Sequence, residues 1–177
     1  AGRDFAVSND LASQMVNFVY LIGDRLSREA LVIDPAYAVS ELLDIAKQDD
    51  MKVIGALATH YHADHVGGSM MGMNIEGAAR LLQLTDIPIH IQTDEAPWIQ
   101  RTTGIQQDSL QLHSSGDKVA VGEIEVILLH TPGHTPACMT YVISDGQETA
   151  AFVGDTLFMP DYGTARCDFP GGDAHTL

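Results

Sequence analysis

Three imidazoles and a carboxylate fall between positions 60 and 65, in the run Thr59-His60-Tyr61-His62-Ala63-Asp64-His65-Val66-Gly67-Gly68. With this chain's own His and Asp frequencies, H-x-H-x-D-H arises by accident on the order of once in a thousand such sequences, so the run calls for a chemical reason. Imidazole and carboxylate are shared ligands of zinc, iron and manganese. In extended backbone His60 and His62 project to one side, because side chains alternate with period 2. Asp64 and His65 then open the next element and face a neighbouring point. The spacing points to a metal site. Two later segments offer matching groups. His130-Thr131-Pro132-Gly133-His134-Thr135-Pro136 has the proline and glycine of a tight turn that presents His134, and Ala151-Phe152-Val153-Gly154-Asp155-Thr156 ends in a turn that presents Asp155. An ion held by two imidazoles and one carboxylate keeps positions open for water, oxygen or substrate, as catalytic sites do.

Each of these segments needs a strand to deliver it. The apolar run 52–58 reads as a buried strand leading into the histidines, and 124–130 and 149–153 read as strands leading to His134 and Asp155. Residues 16–22 and 29–33 read as a hairpin ending at Asp34-Pro35. Helical spacing of Val39, Leu42, Leu43, Ile45 and Ala46 predicts a helix over 38–49. A Met- and Gly-rich loop follows Gly68, then a helix near 75–84, a strand over 87–91, a helix near 94–101 and a strand over 138–143. Asp145-Gly146 marks the turn before the last strand. The alternation predicts a layered α/β or α+β domain.

Composition narrows the function classes. A chain of 177 residues supports one domain, 1–177, with a sizeable core. Hydrophobic residues at 45% and a mean hydropathy of +0.03 describe a globular protein, and no apolar run approaches the ~20 residues of a membrane span. Twenty-four acids against nine bases give a net charge of −15, which repels nucleic acid and anionic membranes and otherwise reads simply as solubility. It leaves room for a homodimer face. Two distant cysteines, Cys138 and Cys167, argue against a disulfide scaffold and fit a cytoplasmic or other reducing compartment.

T-H-x-H-x-D-H-x-G-G, T-P-G-H-T and G-D-T-L-F together resemble the metal-binding motifs of the metallo-β-lactamase superfamily. The resemblance implies an αββα sandwich with the metal at one edge of its paired sheets. The segment from Met159 to Asp173, with Arg166-Cys167-Asp168-Phe169, and His134-Thr-Pro-Ala-Cys138-Met-Thr-Tyr141 resemble persulfide dioxygenases, especially their bacterial β-lactamase-hydrolase-like branch. Those enzymes oxidise glutathione persulfide to sulfite and glutathione with one Fe(II). On that resemblance His60, His134 and Asp155 hold the iron, and His62, Asp64 and His65 orient ligands and water in support of catalysis. Arg166 lies by the substrate, with an ion pair to Asp168 or Asp161 as the alternative. Tyr162, near that segment, either hydrogen-bonds the substrate or is purely structural.

The first half, with Asp64-His65-Val-Gly-Gly68 and Asn74-Ile-Glu-Gly77, is similar to glyoxalase II. That likeness implies two zinc ions. His60, His62 and His134 would hold one, Asp64 and His65 the other, and Asp155 would bridge them over a thioester substrate. A metal-binding but inactive fragment is the third reading. The resemblance also implies a final strand and helix after 177, with Asp173–Leu177 as that helix's opening turn. Other residues read as structural: Cys138 and Trp98 as core, His90 and His113 as structural or exposed. His130 has a place beside the ligands only as its lesser reading. Cys167 stands beside Arg166 close to the expected site with no catalytic role read for it, since the metal supplies the chemistry. Met70, Met71 and Met73 lie on a flap or in packing.

Overall fold

The computed structural model describes residues 17–158 and 162–177. Strands β1 (Tyr20–Asp24) and β2 (Glu29–Ile33) form an antiparallel hairpin, with Tyr20 opposite Ile33. From β2 onward the chain repeats a strand–helix–strand unit. Helix α1 (Val39–Gln48) returns it to β3 (Lys52–Leu57). The short helix α2 (Ala63–Val66) and helix α3 (Ala78–Leu84) return it to β6 (Ile89–Gln92), and α4 (Ala96–Thr103) to β7 (Leu110–His113). Strands β2, β3, β6 and β7 are mutually parallel, giving a five-stranded sheet in the order β1-β2-β3-β6-β7. Right-handed crossovers between parallel strands put their helices on one face. Val39, Ala46, Leu81 and Ile99 of those helices accordingly pack on Val32, Val53, Ala56, Ile89 and Ile91.

The other face meets a second sheet. Strands β8 (Lys118–Val121), β9 (Ile124–His130), β10 (Met139–Ser144) and β11 (Thr149–Phe152) are antiparallel, in the order β11-β10-β9-β8. Leu31, Ile33 and Leu57 from the first sheet bury against Val121, Val126, Leu128, Met139 and Tyr141 from the second. Tyr141 is wholly buried, and its hydroxyl donates to the Ala58 carbonyl at 2.6 Å, so the polar tip that enters the core is satisfied. Helices, mixed sheet and antiparallel sheet are three successive layers of the sandwich that the motifs imply.

The structure differs from the sequence reading in four places. The strand expected over 16–22 is Tyr20–Asp24, and residue 16 lies outside the described residues. The Met-rich loop is a hairpin of β4 (Gly68–Met70) and β5 (Met73–Ile75), so α3 begins at Ala78 rather than near 75. Met71 and Gly72 both have positive φ, 50° and 77°, as a two-residue hairpin turn requires. Gly77 then passes so close to Val66 that a Cβ would lie 2.3 Å from its carbonyl oxygen. Strands β7 and β8 stand where none was expected. Helix α4 is entered through a 3-10 turn (Thr93–Glu95) and stopped by Gly104 at φ 76°. Residues 173–177 close one turn, through Thr176 and Leu177 amides to the Asp173 carbonyl. Among the described residues no helix is long and apolar enough to cross a membrane.

Candidate metal centre

The β3 strand ends at Leu57, and residues 58–62 run on beyond the sheet to carry His60 and His62. Gly67, at φ 81°, ends α2 after one turn and leaves Asp64 and His65 beside the first two histidines. His134 comes from the loop after β9, which His130 closes by donating from Nε2 to the Pro136 carbonyl at 3.3 Å. Asp155 follows β11. Nε2 of His60 lies 3.1 Å from Nδ1 of His62, and that atom lies 2.9 Å from Nε2 of His134. Asp155 turns Oδ2 to His134 Nε2 at 3.5 Å and Oδ1 to His65 Nε2 at 3.2 Å. Two donor sets result, His60/His62/His134 and His60/His65/Asp155, with ligand atoms within 4.8 Å of one another in each. Asp64 stands at the second set's edge, its Oδ2 3.7 Å from His65 Nε2.

Hydrogen bonds behind the rings fix which nitrogen faces inward. The Thr59 hydroxyl donates to Asp34 Oδ2 at 2.8 Å, so its oxygen is left to accept from His60 Nδ1 at 3.0 Å. That places the proton on Nδ1 and the lone pair on Nε2. His134 Nδ1 sits 2.6 Å from the Arg166 carbonyl, which can only accept, so its Nε2 also carries a lone pair. Two lone pairs thus converge on one point with His62 Nδ1 beside them. Ligands at right angles to one another on an ion, with bonds of about 2.1 Å, lie about 3 Å apart, which is the spacing found. Burial and the neighbouring imidazoles keep the His60 ring neutral, well below its ordinary pKa. Burial, then His134, hold His62 at about 4. Neutral, converging imidazoles are the donor set a divalent cation needs, and the residues fit a metal.

His65 has the opposite electrostatics. Burial alone would lower its pKa, but Asp34, 2.8 Å from Nδ1, and Asp155 outweigh it and hold the ring well above the ordinary value. Asp155 is correspondingly held low, since the His65 hydrogen bond and nearby rings overcome the effect of burial. Asn17, ahead of β1, donates to the Asp64 carboxylate at 2.8 Å and its carbonyl at 3.1 Å.

The segment after 162 crosses the front of the cluster. The Phe169 ring stands edge-on to His62 and His134, with centroids 5.0 and 6.1 Å away. The Arg166 guanidinium grips Asp168 through two nitrogens and lies over Phe169 at 4.7 Å, so the ion-pair alternative describes its side chain here. Tyr162 is 76% exposed, and Asp161 lies outside the described residues. Cys167 is half-buried, Cys138 buried, and both thiols are free. His90 and His113 are joined at 2.9 Å between β6 and β7, away from the cluster. Trp98 stacks on Tyr61 at 5.2 Å, and Met71 is exposed at the hairpin tip.

Asn17, Asp34, Thr59 and Phe169 escaped the sequence reading. Asp34 had a local signal in its Asp-Pro step at a strand end, and Thr59 and Phe169 stand inside the quoted motifs without a role having been read for them; Asn17 had none.

Residues 14–177 match the Metallo-beta-lactamase superfamily. The chain is 44% identical over 132 residues to a probable metallo-hydrolase of Burkholderia pseudomallei, covering 68% of this chain and 44% of that one. It is 34% identical over 162 residues to the human mitochondrial persulfide dioxygenase ETHE1, covering 90% and 55%. It thus spans about half the length of these relatives. A crystal structure of ETHE1 from Myxococcus xanthus superposes with a TM-score of 0.69 at 29% identity, over 89% of this chain and 60% of that one. Fold, histidine cluster and sequence agree: the chain belongs to the metallo-beta-lactamase superfamily.

Proposed function

We propose that the chain carries the active site of a non-haem iron dioxygenase, acting on a small thiol persulfide such as glutathione persulfide and releasing sulfite and the thiol. The observation behind this reading is the inward-facing Nε2 lone pairs of His60 and His134 beside the Asp155 carboxylate. Two histidines and a carboxylate are the set used by non-haem iron oxygenases. Ferrous iron bound there supplies the redox chemistry that joins oxygen to sulfur. The chain's own residues do the rest. His62 Nδ1, within hydrogen-bond reach of both partners, orients what occupies the open positions. Phe169 lies against His62 and His134 and shields them from bulk water. The exposed Arg166 fork is available to a substrate carboxylate, which would replace Asp168. Similarity to the human persulfide dioxygenase over 90% of the chain supports the choice of substrate. The single-domain organisation, a reducing compartment for the two free thiols and the exclusion of nucleic acid by the −15 charge belong to the same proposal.

A two-zinc thioester hydrolase is the second reading. Asp155 turns its two oxygens to different histidines, and Asp64 adjoins His65, as a carboxylate between two ions would. The Burkholderia relative's description as a probable metallo-hydrolase supports it. One ion is preferred over two because the two donor sets share His60, so among the described residues one ion completes its set at the other's expense; the proposed iron ligands His60, His134 and Asp155 are drawn from both sets. Oxygen uptake by the Fe(II)-loaded protein on addition of glutathione persulfide tests the proposal. Uptake that His134→Ala abolishes is expected. No uptake from protein holding one iron per chain overturns the dioxygenase reading, and zinc-dependent thioester cleavage then establishes the hydrolase.

A further inference from the structure

Glu95 is a carboxylate with no exposed surface, at the end of the 3-10 turn ahead of α4. Among the described residues no ion pair involves it, and an ionised group buried without a cation is costly unless hydrogen bonds replace its water. Three donors do so. Oε1 accepts the Tyr61 amide at 3.0 Å, Oε2 accepts the Thr135 hydroxyl at 3.2 Å, and the Ala137 amide donates as well. Tyr61 lies between His60 and His62, and Thr135 follows His134. The two ligand-bearing loops arise from different sheets, β3 and β9, and one carboxylate ties them together. Cys138 extends the tie, its thiol 3.0 Å from the Thr135 hydroxyl. With that hydroxyl's proton on Glu95, the oxygen accepts from the thiol, which burial holds protonated by raising its pKa to about 11.

We infer that Glu95 is a positioning residue for the metal centre, setting the separation between the His60/His62 loop and the His134 loop. The geometry selects this role over simple core filling. A purely structural plug would need no acceptor for the one backbone amide between two candidate ligands. Each oxygen serves a different loop, so moving the carboxylate moves both ligand sets relative to each other. Glu95 touches no ligand nitrogen, and the inference concerns metal geometry alone, so it stands whether the chemistry is oxygenation or hydrolysis.

The test uses Co(II) alone as probe, with affinity measured by chelator competition and geometry by the visible d–d bands. Glu95→Gln keeps one acceptor for one loop and is expected to weaken Co(II) binding about tenfold. Glu95→Leu keeps none and is expected to weaken it about a hundredfold, the range for groups that orient metal ligands. Both are expected to shift the d–d bands. Ile99→Val, a trimmed core residue on the helix that follows, controls for loss of stability and is expected to leave affinity and spectrum unchanged. Wild-type affinity and spectrum in folded Glu95→Gln overturn the inference, as does an equal loss in Ile99→Val. If Glu95→Leu does not fold, the Gln variant decides.

Discussion

Asp34 carries more of the site than its distance from the histidines in sequence suggests, and removing it gives a graded test. Its backbone is left-handed, φ 52°, and its side chain is almost wholly buried. Oδ1 accepts the Thr59 amide at 2.8 Å, and Oδ2 accepts both the Thr59 hydroxyl and His65 Nδ1 at 2.8 Å. Asp34→Ala strands three buried donors, each worth about 1–3 kcal/mol when left unpaired. It also places alanine in a conformation that costs about 1 kcal/mol. Allowing for partial relaxation, the expected loss is about 4–5 kcal/mol, comparable to removing one partner of a buried ion pair and a large share of a domain's ~5–15 kcal/mol. Asp34→Asn tolerates the left-handed backbone and still accepts the Thr59 amide. Its NH₂ cannot accept from His65 Nδ1, which must give up that proton, and about 2 kcal/mol is expected. Urea unfolding of metal-free protein measures both, with an unchanged m-value as the check that the unfolded state is the same. A loss under about 1 kcal/mol for Asp34→Ala, or equal losses for the two variants, would refute the reasoning.

Three further outcomes are expected. Burial holds His62 at about 4 in the folded chain against about 6.5 unfolded, so the unfolded state takes up the proton first. Its contribution to stability is complete above pH 6.5 and is lost as pH falls to about 4. The difference, about 3 kcal/mol, should vanish from the pH profile of His62→Gln, and identical profiles for the two proteins would sink the point. Phe169→Ala uncovers His62 and His134 and is expected to lower kcat/KM about tenfold through kcat, about 1.4 kcal/mol, with iron content unchanged. Loss of iron instead would show that the ring holds the ligands rather than shielding them. Gly67→Ala sets a Cβ 2.6 Å from the Gly77 backbone at φ 81°, and a loss of at least ~3 kcal/mol in urea is expected. A loss under about 1 kcal/mol would mean that the β4–β5 hairpin yields.

Much of this architecture was legible because its signals are local. The β3 run and the helical spacing in α1 are carried by consecutive residues, and those elements match to within one or two positions. Five of the six candidate ligands, His60, His62, His65, His134 and Asp155, fall in the two donor sets, and they stood out in the sequence because they are clustered or held in turns; Asp64 falls in neither set. Strands β7 and β8 were not legible: Leu-Gln-Leu-His and Lys-Val-Ala-Val are four residues long and sit among polar residues, without the apolar run that marks β6. The Met71-Gly72 turn lacks the usual Asn-Gly signature, so a hairpin read as a loop. Asp34 and Thr59 act on rings up to 31 residues away in sequence, as with Asp34 and His65. No periodicity reports such pairings, because only the parallel register of β2 and β3 brings them together.

The Nδ1 partners of His60 and His134 are a threonine hydroxyl and a backbone carbonyl, both supplied by the fold itself. Ring orientation therefore does not wait on the ion. An ion reaching the site meets two rings already turned toward it. Imidazole and carboxylate accept several divalent ions, so the supply of ions weighs more than raw affinity in deciding the occupant. The metal found in a given preparation then records what the host cell supplied. Specific activity should vary between growth media at constant fold, and rise to a common ceiling once every preparation is emptied and refilled with the same ion.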